Sequence, residues 1–193
     1  MKRLLAATII ATLPLGASAD SHDGKTDMQA DIDQSKMAIK DFFGSLKGEL
    51  VQAMKAGGPV NAIHVCNTRA QLITKEKAQA HGLHLARTSL KVRNPVNSPD
   101  AWELATMKQF ESRKAAGEPV DQIAKAEVVT GADGKKQFRF MKAIPTGQVC
   151  LTCHGDNIAP EVAAKLDELY PEDRARGFKL GDIRGAFTVS KEM

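Results

Sequence analysis

An α+β domain is what this sequence predicts, on three observations. A long apolar stripe at helical spacing opens the chain, short β-prone runs are scattered through its second half, and two of those runs flank a tight-turn signal, "GADG", at 131–134. No internal repeat or low-complexity run points to another architecture.

The elements follow in order. Met1 to Ala19 open with Lys2 and Arg3, continue through an apolar run from Leu4 to Leu15 and close on Ala17-Ser18-Ala19. A basic start, a short apolar middle and a small-residue cleavage site describe a secretory signal peptide at 1–19, against the alternative of a membrane-anchored N-terminus. The run is too short to span a bilayer, and no later segment is apolar enough to do so. The mature protein is therefore expected in the periplasm, with no membrane span. Residues 20–35 are expected to hold a flexible lead-in, "DSHDGKTD" at 20–27, and the start of the N-terminal helix, leaving 36–193 as one domain.

From Met28 to Ala56, apolar residues recur at Ile32, Ile39, Phe43, Leu46, Leu50 and Met54, and Gly57-Gly58-Pro59 ends the helix. A shorter helix is predicted from Thr68 to His81, stopped by Gly82. "GLHLARTSL" then reads as a strand with Leu83 and Leu85 on one face. Ser98-Pro99 resembles an N-cap with proline in the first turn, opening a helix through Trp102, Met107 and Phe110. Ile123 to Thr130 and Gln137 to Ile144 form the hairpin around GADG. Pro160 to Leu169 reads as helix, and "GAFTVS" at 185–190 closes the chain as a strand, with Asp182 and Gly185 shaping its entry.

Charge excludes one class of partner. Without Lys2 and Arg3 the chain carries 25 basic against 23 acidic side chains, well interspersed, which is too mild for a nucleic-acid binder. Aromatic residues make up 5% of the chain, a low share that a bound flat apolar cofactor would supplement.

The chemistry lies in "TGQVCLTCHGDN", 146–157. The chain has three cysteines, Cys66, Cys150 and Cys153, and in an exported protein simple pairing cannot use an odd number. Cys150 and Cys153 could form a disulfide. With His154 and Cys66 they could hold zinc, although adjacent Cys153 and His154 would struggle to reach one tetrahedral ion. The third reading is covalent attachment of a single haem c. There two thiols at this spacing add to the two vinyl groups, and the next imidazole sits beneath the iron. Export favours this reading.

A small all-helical cytochrome c carries its attachment motif near the N-terminus, whereas here it comes at residue 150. "IHVCNTRAQ", "RTSLKVRNPVNSPDAWE", "CLTCHG" and "GDIRGAFTVS" together resemble a family of c-type haem proteins, a domain of unknown function whose fold is similar to a PAS domain. The likeness runs from about residue 36 to the end. It implies a PAS-like antiparallel sheet with a long N-terminal helix and flanking helices. It also implies an iron held by His154 on one side and by the Cys66 thiolate on the other.

Read from the residues alone, Cys66 precedes the helix expected at Thr68, whose N-terminal amides would favour a thiolate; the competing reading is a buried, inert thiol. His64, His84, Met107 and Met141 are alternative ligands, Met107 being better explained as packing. Arg87, Lys91, Arg93 and Asn94 are expected on a donor-rich loop, with Arg87 and Arg93 the partners for haem propionates. No hydrolytic triad, phosphate-cradling loop or paired-carboxylate site is legible. The expectation is a haem-binding redox or small-ligand sensor, or alternatively a low-potential electron carrier. Both would work through a redox or signalling protein partner. Two filled axial positions disfavour an enzyme of peroxidase type.

Overall fold

The computed structural model describes residues 23–193, with side chains from Met28 onward. The expected signal peptide and the first residues of the lead-in lie outside the described residues. Helix α1 runs over Asp23–His81, beginning earlier than Met28, and breaks at Gly57 and Gly58. Gly58 takes φ 69°, a conformation that favours glycine, and Pro59 begins the second arm. Asn61 Nδ2 donates to Ala53 O at 3.0 Å, satisfying a carbonyl that the break frees. The arms run antiparallel, as four contacts show: Arg69 pairs with Glu49, Lys77 and His81 each with Asp41, and Gln34 Nε2 donates to His81 O.

The glycine break stands where the sequence placed it, but the second arm starts at Pro59, not Thr68. The physical reason is packing: Ile63 is buried against Val162 and Leu166 of helix α4 (Pro160–Leu169), with Val60 alongside. That burial holds residues 59–67 helical. The buried stripe of the first arm also differs by one residue, because Phe42 is fully buried while Phe43 is 45% exposed.

Strands β1 (His84–Thr88), β2 (Ala124–Thr130), β3 (Lys136–Pro145) and β4 (Ile183–Glu192) form one antiparallel sheet in the order β1-β4-β3-β2. This is the α+β, PAS-like sheet with a long N-terminal helix. Alternation along the strands splits the core in two. Leu83, Leu85, Phe138, Phe140, Phe187 and Val189 pack on Ala38, Ile39, Phe42 and Ile73 of α1. Met141, Ala143, Ile183 and Ala186 pack on Met107 and Phe110 of helix α2 (Ala101–Ala115). The hairpin closes as expected, with Gly131 N donating to Lys135 O at 2.8 Å.

Helix α2 is capped by Asp100, not Ser98. Asp100 Oδ1 accepts from Glu103 N and Glu103 Oε2 accepts from Asp100 N, a reciprocal capping box. Ser98 instead ends the short 3-10 turn Pro95–Asn97. Among the described residues no helix is long and apolar enough to cross a membrane.

Candidate functional site

The attachment sequence folds as a 3-10 turn, Gln148–Cys150, running into the short helix α3, Leu151–His154. This winding presents Cys150, Cys153 and His154 from one turn of chain. Gly155 must follow, since a β-carbon there would lie 2.6 Å from Leu151 O. His154 O accepts from Phe178 N and Gly155 O from Gly177 N, both at 2.9 Å, tying the turn to the 173–178 loop.

The imidazole of His154 is fixed in one tautomer. Nδ1 lies 2.7 Å from Ala175 O, and a carbonyl can only accept, so Nδ1 carries the proton and Nε2 keeps its lone pair. Burial, aided by the charges of Arg184 and Arg93, holds the pKa well below the usual histidine range. A neutral imidazole with Nε2 free is what a metal needs.

Asp173 organises the loop that holds this carbonyl. Its carboxylate accepts from Ala175 N at 2.8 Å, from Arg176 Nε at 2.9 Å and from Arg93 Nε at 3.2 Å. Arg93 Nη2 donates in turn to Cys153 O and Ala175 O. Arg93 therefore clamps the attachment turn and the imidazole's acceptor together.

Cys66 arrives from the second arm of α1, one helical turn beyond Ile63 and on the same face. It is a free, half-buried thiol, as are Cys150 and Cys153. The N-terminal amides expected to favour its thiolate are not there, because Cys66 lies well inside the helical arm that starts at Pro59. Burial pushes the thiol's pKa up, against the opposing charges of Arg87 and Arg93. Burial also raises the Cys153 thiol, against the opposing charge of Arg93. The structure thus brings Cys66 and the attachment turn to one place, with Tyr170 closing it beneath Arg93, whose Cζ sits 5.9 Å from the Tyr170 ring centroid.

The alternative ligands stay out. His64 and His84 are exposed, while Met107 and Met141 are packed in the α2 core. Among the described residues no three His, Cys, Asp or Glu side chains converge as a bare ion requires. Free thiols, a neutral imidazole and surplus guanidinium charge suit a haem with two carboxylates. Arg87 lies on β1 rather than on the loop that carries Lys91, Arg93 and Asn94.

The model of the Tll0287-like family matches residues 16–191. The chain belongs to the Tll0287-like family. A solved structure, that of the cyanobacterial heme-protein Tll0287, aligns with a TM-score of 0.56 over 91% of this chain and 98% of its own, at 23% identity, a likeness of fold. No curated protein matches.

Sequence reasoning missed three residues of this Tll0287-like site: Asp173, Phe178 and Arg184. Asp173 and Phe178 sit in "PEDRARGF", which follows the α4 helix with no regular pattern to mark it. Arg184 stands inside the quoted "GDIRGAFTVS", but strand periodicity does not reveal where its side chain goes.

Proposed function

We propose that this chain is an exported monohaem protein of c type. Cys150 and Cys153 hold the haem covalently, His154 Nε2 binds the iron from one side and the Cys66 thiolate from the other. The observation that carries the reading is the pairing of a tautomer-fixed, neutral His154 with a free Cys66 brought to the same site from the far end of the sequence. The haem-protein title of the aligned structure supports it. When bound, such a group supplies one-electron redox chemistry. The protein's own residues do the rest: Ala175 O orients the imidazole, Asp173 and Arg93 hold that carbonyl, and the second arm of α1 delivers the thiol. With both axial positions filled, peroxidase-like catalysis is disfavoured. The role outside the cytoplasm is redox or small-ligand sensing, with Cys66 as the exchangeable ligand.

A second reading, a low-potential periplasmic electron carrier, is favoured by an apolar margin beside the motif. Val149, next to Cys150, is 48% exposed and Leu180 is 64% exposed. Gly181, which follows Leu180, donates its backbone N–H to Thr146 O. Capture of the periplasmic partner separates the roles, a signalling receptor favouring the sensor and an oxidoreductase the carrier.

The test of the cofactor is direct. Protein matured with a c-type attachment system should keep its Soret band and peroxidase stain after acid-acetone extraction and denaturing electrophoresis. Cys150→Ala or Cys153→Ala should leave one thioether or none, and the double variant should lose the stain. Haem extracted from the unmutated protein would overturn covalent attachment.

A further inference from the structure

The first residues of β4 contain an irregularity that places a charge. Ile144 pairs with Gly185 and Pro145 with Ile183, so Arg184 is the extra residue of a β-bulge. Bulges next to functional sites re-aim a side chain out of the regular alternation. Gly185 permits this one, since a β-carbon there would come within 2.3 Å of Thr88 O on the neighbouring strand.

The side chain so released crosses Phe178, with its Cζ 5.2 Å from the ring centroid, and Phe178 stands edge-on to His154 at 6.2 Å. Arg184 reaches the surroundings of the imidazole without an anion to meet it. Nη1 makes only long contacts, 3.3 Å to Ser89 Oγ and 3.4 Å to Lys91 O, and Nε is buried with no partner. A buried guanidinium lacking its hydrogen bonds is costly, and native structures rarely leave one so. Its pKa is pushed down to about 10, first by burial and then by the charges of Arg93 and Arg87.

Arg87 also lacks a carboxylate partner among the described residues. It leaves β1 toward α1, its Cζ 5.5 Å from the Phe42 ring centroid. Among the described residues it makes no ion pair or hydrogen bond, and its charge acts on Cys66. Arg93, by contrast, is engaged by Asp173, and the same carboxylate also serves Arg176. Arg184 and Arg87 thus lack a carboxylate partner, as does Lys91, which lies over the same Phe178 ring but is held by Arg176 O. The two guanidiniums are the forked donors that suit a group with two carboxylates.

We propose that Arg184 and Arg87 form the anion-binding pair of this site and receive the two haem propionates, while Arg93 serves as a positioning clamp. The inference rests on the haem reading above and names the residues that recognise the group's acidic edge. Arg suits this task because its fork can donate two parallel bonds to one carboxylate.

The experiment uses the full mature chain with haem attached and four variants, Arg184→Gln, Arg184→Lys, Arg87→Gln and Arg93→Gln. Haem stain and thermal melting report attachment and folding. Resonance Raman propionate bending bands, and the pH dependence of the midpoint potential, report the carboxylates. Arg184→Gln and Arg87→Gln should each shift one propionate band and raise a redox-linked ionisation by about one pH unit or more. Arg184→Lys, which keeps the charge, should restore the ionisation but not the band. Arg93→Gln should lower the melting temperature with the propionate bands in place. Should Arg184→Gln fail to fold, the Arg184→Lys band shift decides alone. Stained haem with unchanged propionate bands in the Arg184 and Arg87 variants would overturn the assignment while leaving the haem reading intact. An unmutated protein with no stained haem would overturn both.

Discussion

Cys66 shows how little a residue's own chemistry decides by itself. Its thiol is raised by burial and lies mid-helix, so without a metal it stays protonated at neutral pH. In the proposed site the iron would supply the attraction that makes it a thiolate, because a ligand binds deprotonated. An anionic axial ligand stabilises the oxidised iron, and axial identity can move haem potentials over about 0.8 V. The midpoint should therefore lie well below that of His/Met cytochromes c. Cys66→Ala should raise it by on the order of 0.1 V and bind carbon monoxide at every pH. In the parent, reduction should open the position to carbon monoxide mainly at lower pH, as the thiol regains its proton. A Cys66→Ala variant that keeps the parent's ferric spectrum would remove Cys66 from the iron and the sensing role with it.

At the scale of elements, the glycines of α1 make opposite demands. Gly58 holds φ 69° at the break that folds the second arm back, carrying Cys66 with it. Gly44 lies inside the first arm, where a β-carbon would meet nothing within 4 Å. Gly58→Ala should cost about 1 kcal/mol from the left-handed backbone alone, and the shift of the second arm should disturb the Cys66 ligation signature. Gly44→Ala should stabilise by about 1 kcal/mol through lost backbone entropy in the unfolded chain. Urea titrations of the two variants check the signs. Two stabilising substitutions would mean that the break is not held by Gly58.

For the molecule as a whole, acid stability should turn on Asp173, the acceptor that joins the 173–178 loop, the attachment turn and Arg93. Burial alone would raise its pKa, but the hydrogen bonds of Arg176 and Arg93 outweigh this and leave it lowered. A carboxylate with a folded pKa below its unfolded one adds stability that is complete above the unfolded value, about 3.9. That contribution is lost as pH falls through the folded value. Stability should thus decline below about pH 4, and the decline should be shallower in Asp173→Asn. That variant should also be less stable at neutral pH by about 3 kcal/mol, since it leaves buried Arg93 without its carboxylate. Parallel pH–stability curves for the two proteins would show that Asp173 is not the titrating support.

What the sequence determined alone was local. The GADG hairpin, the Gly57-Gly58-Pro59 break, the Leu83/Leu85 face, α4 and the Cys150-Cys153-His154 turn all rest on neighbours within a few residues, where backbone preference and spacing suffice. "DAWE" also held the α2 cap in plain view, though Ser98-Pro99 competed with it. Only the tertiary structure decided the rest. Residues 59–67 are helical because Ile63 finds Val162 and Leu166, a burial invisible in a short window. Arg93 clamps the attachment turn because Asp173, distant in sequence, lies 3.2 Å away and holds its guanidinium there. Arg184 faces the site because a bulge breaks the period of two that strand reasoning assumes. Charges select their partners by distance in space, and that distance exists only once the sheet, the folded-back helix and the 173–178 loop are packed together.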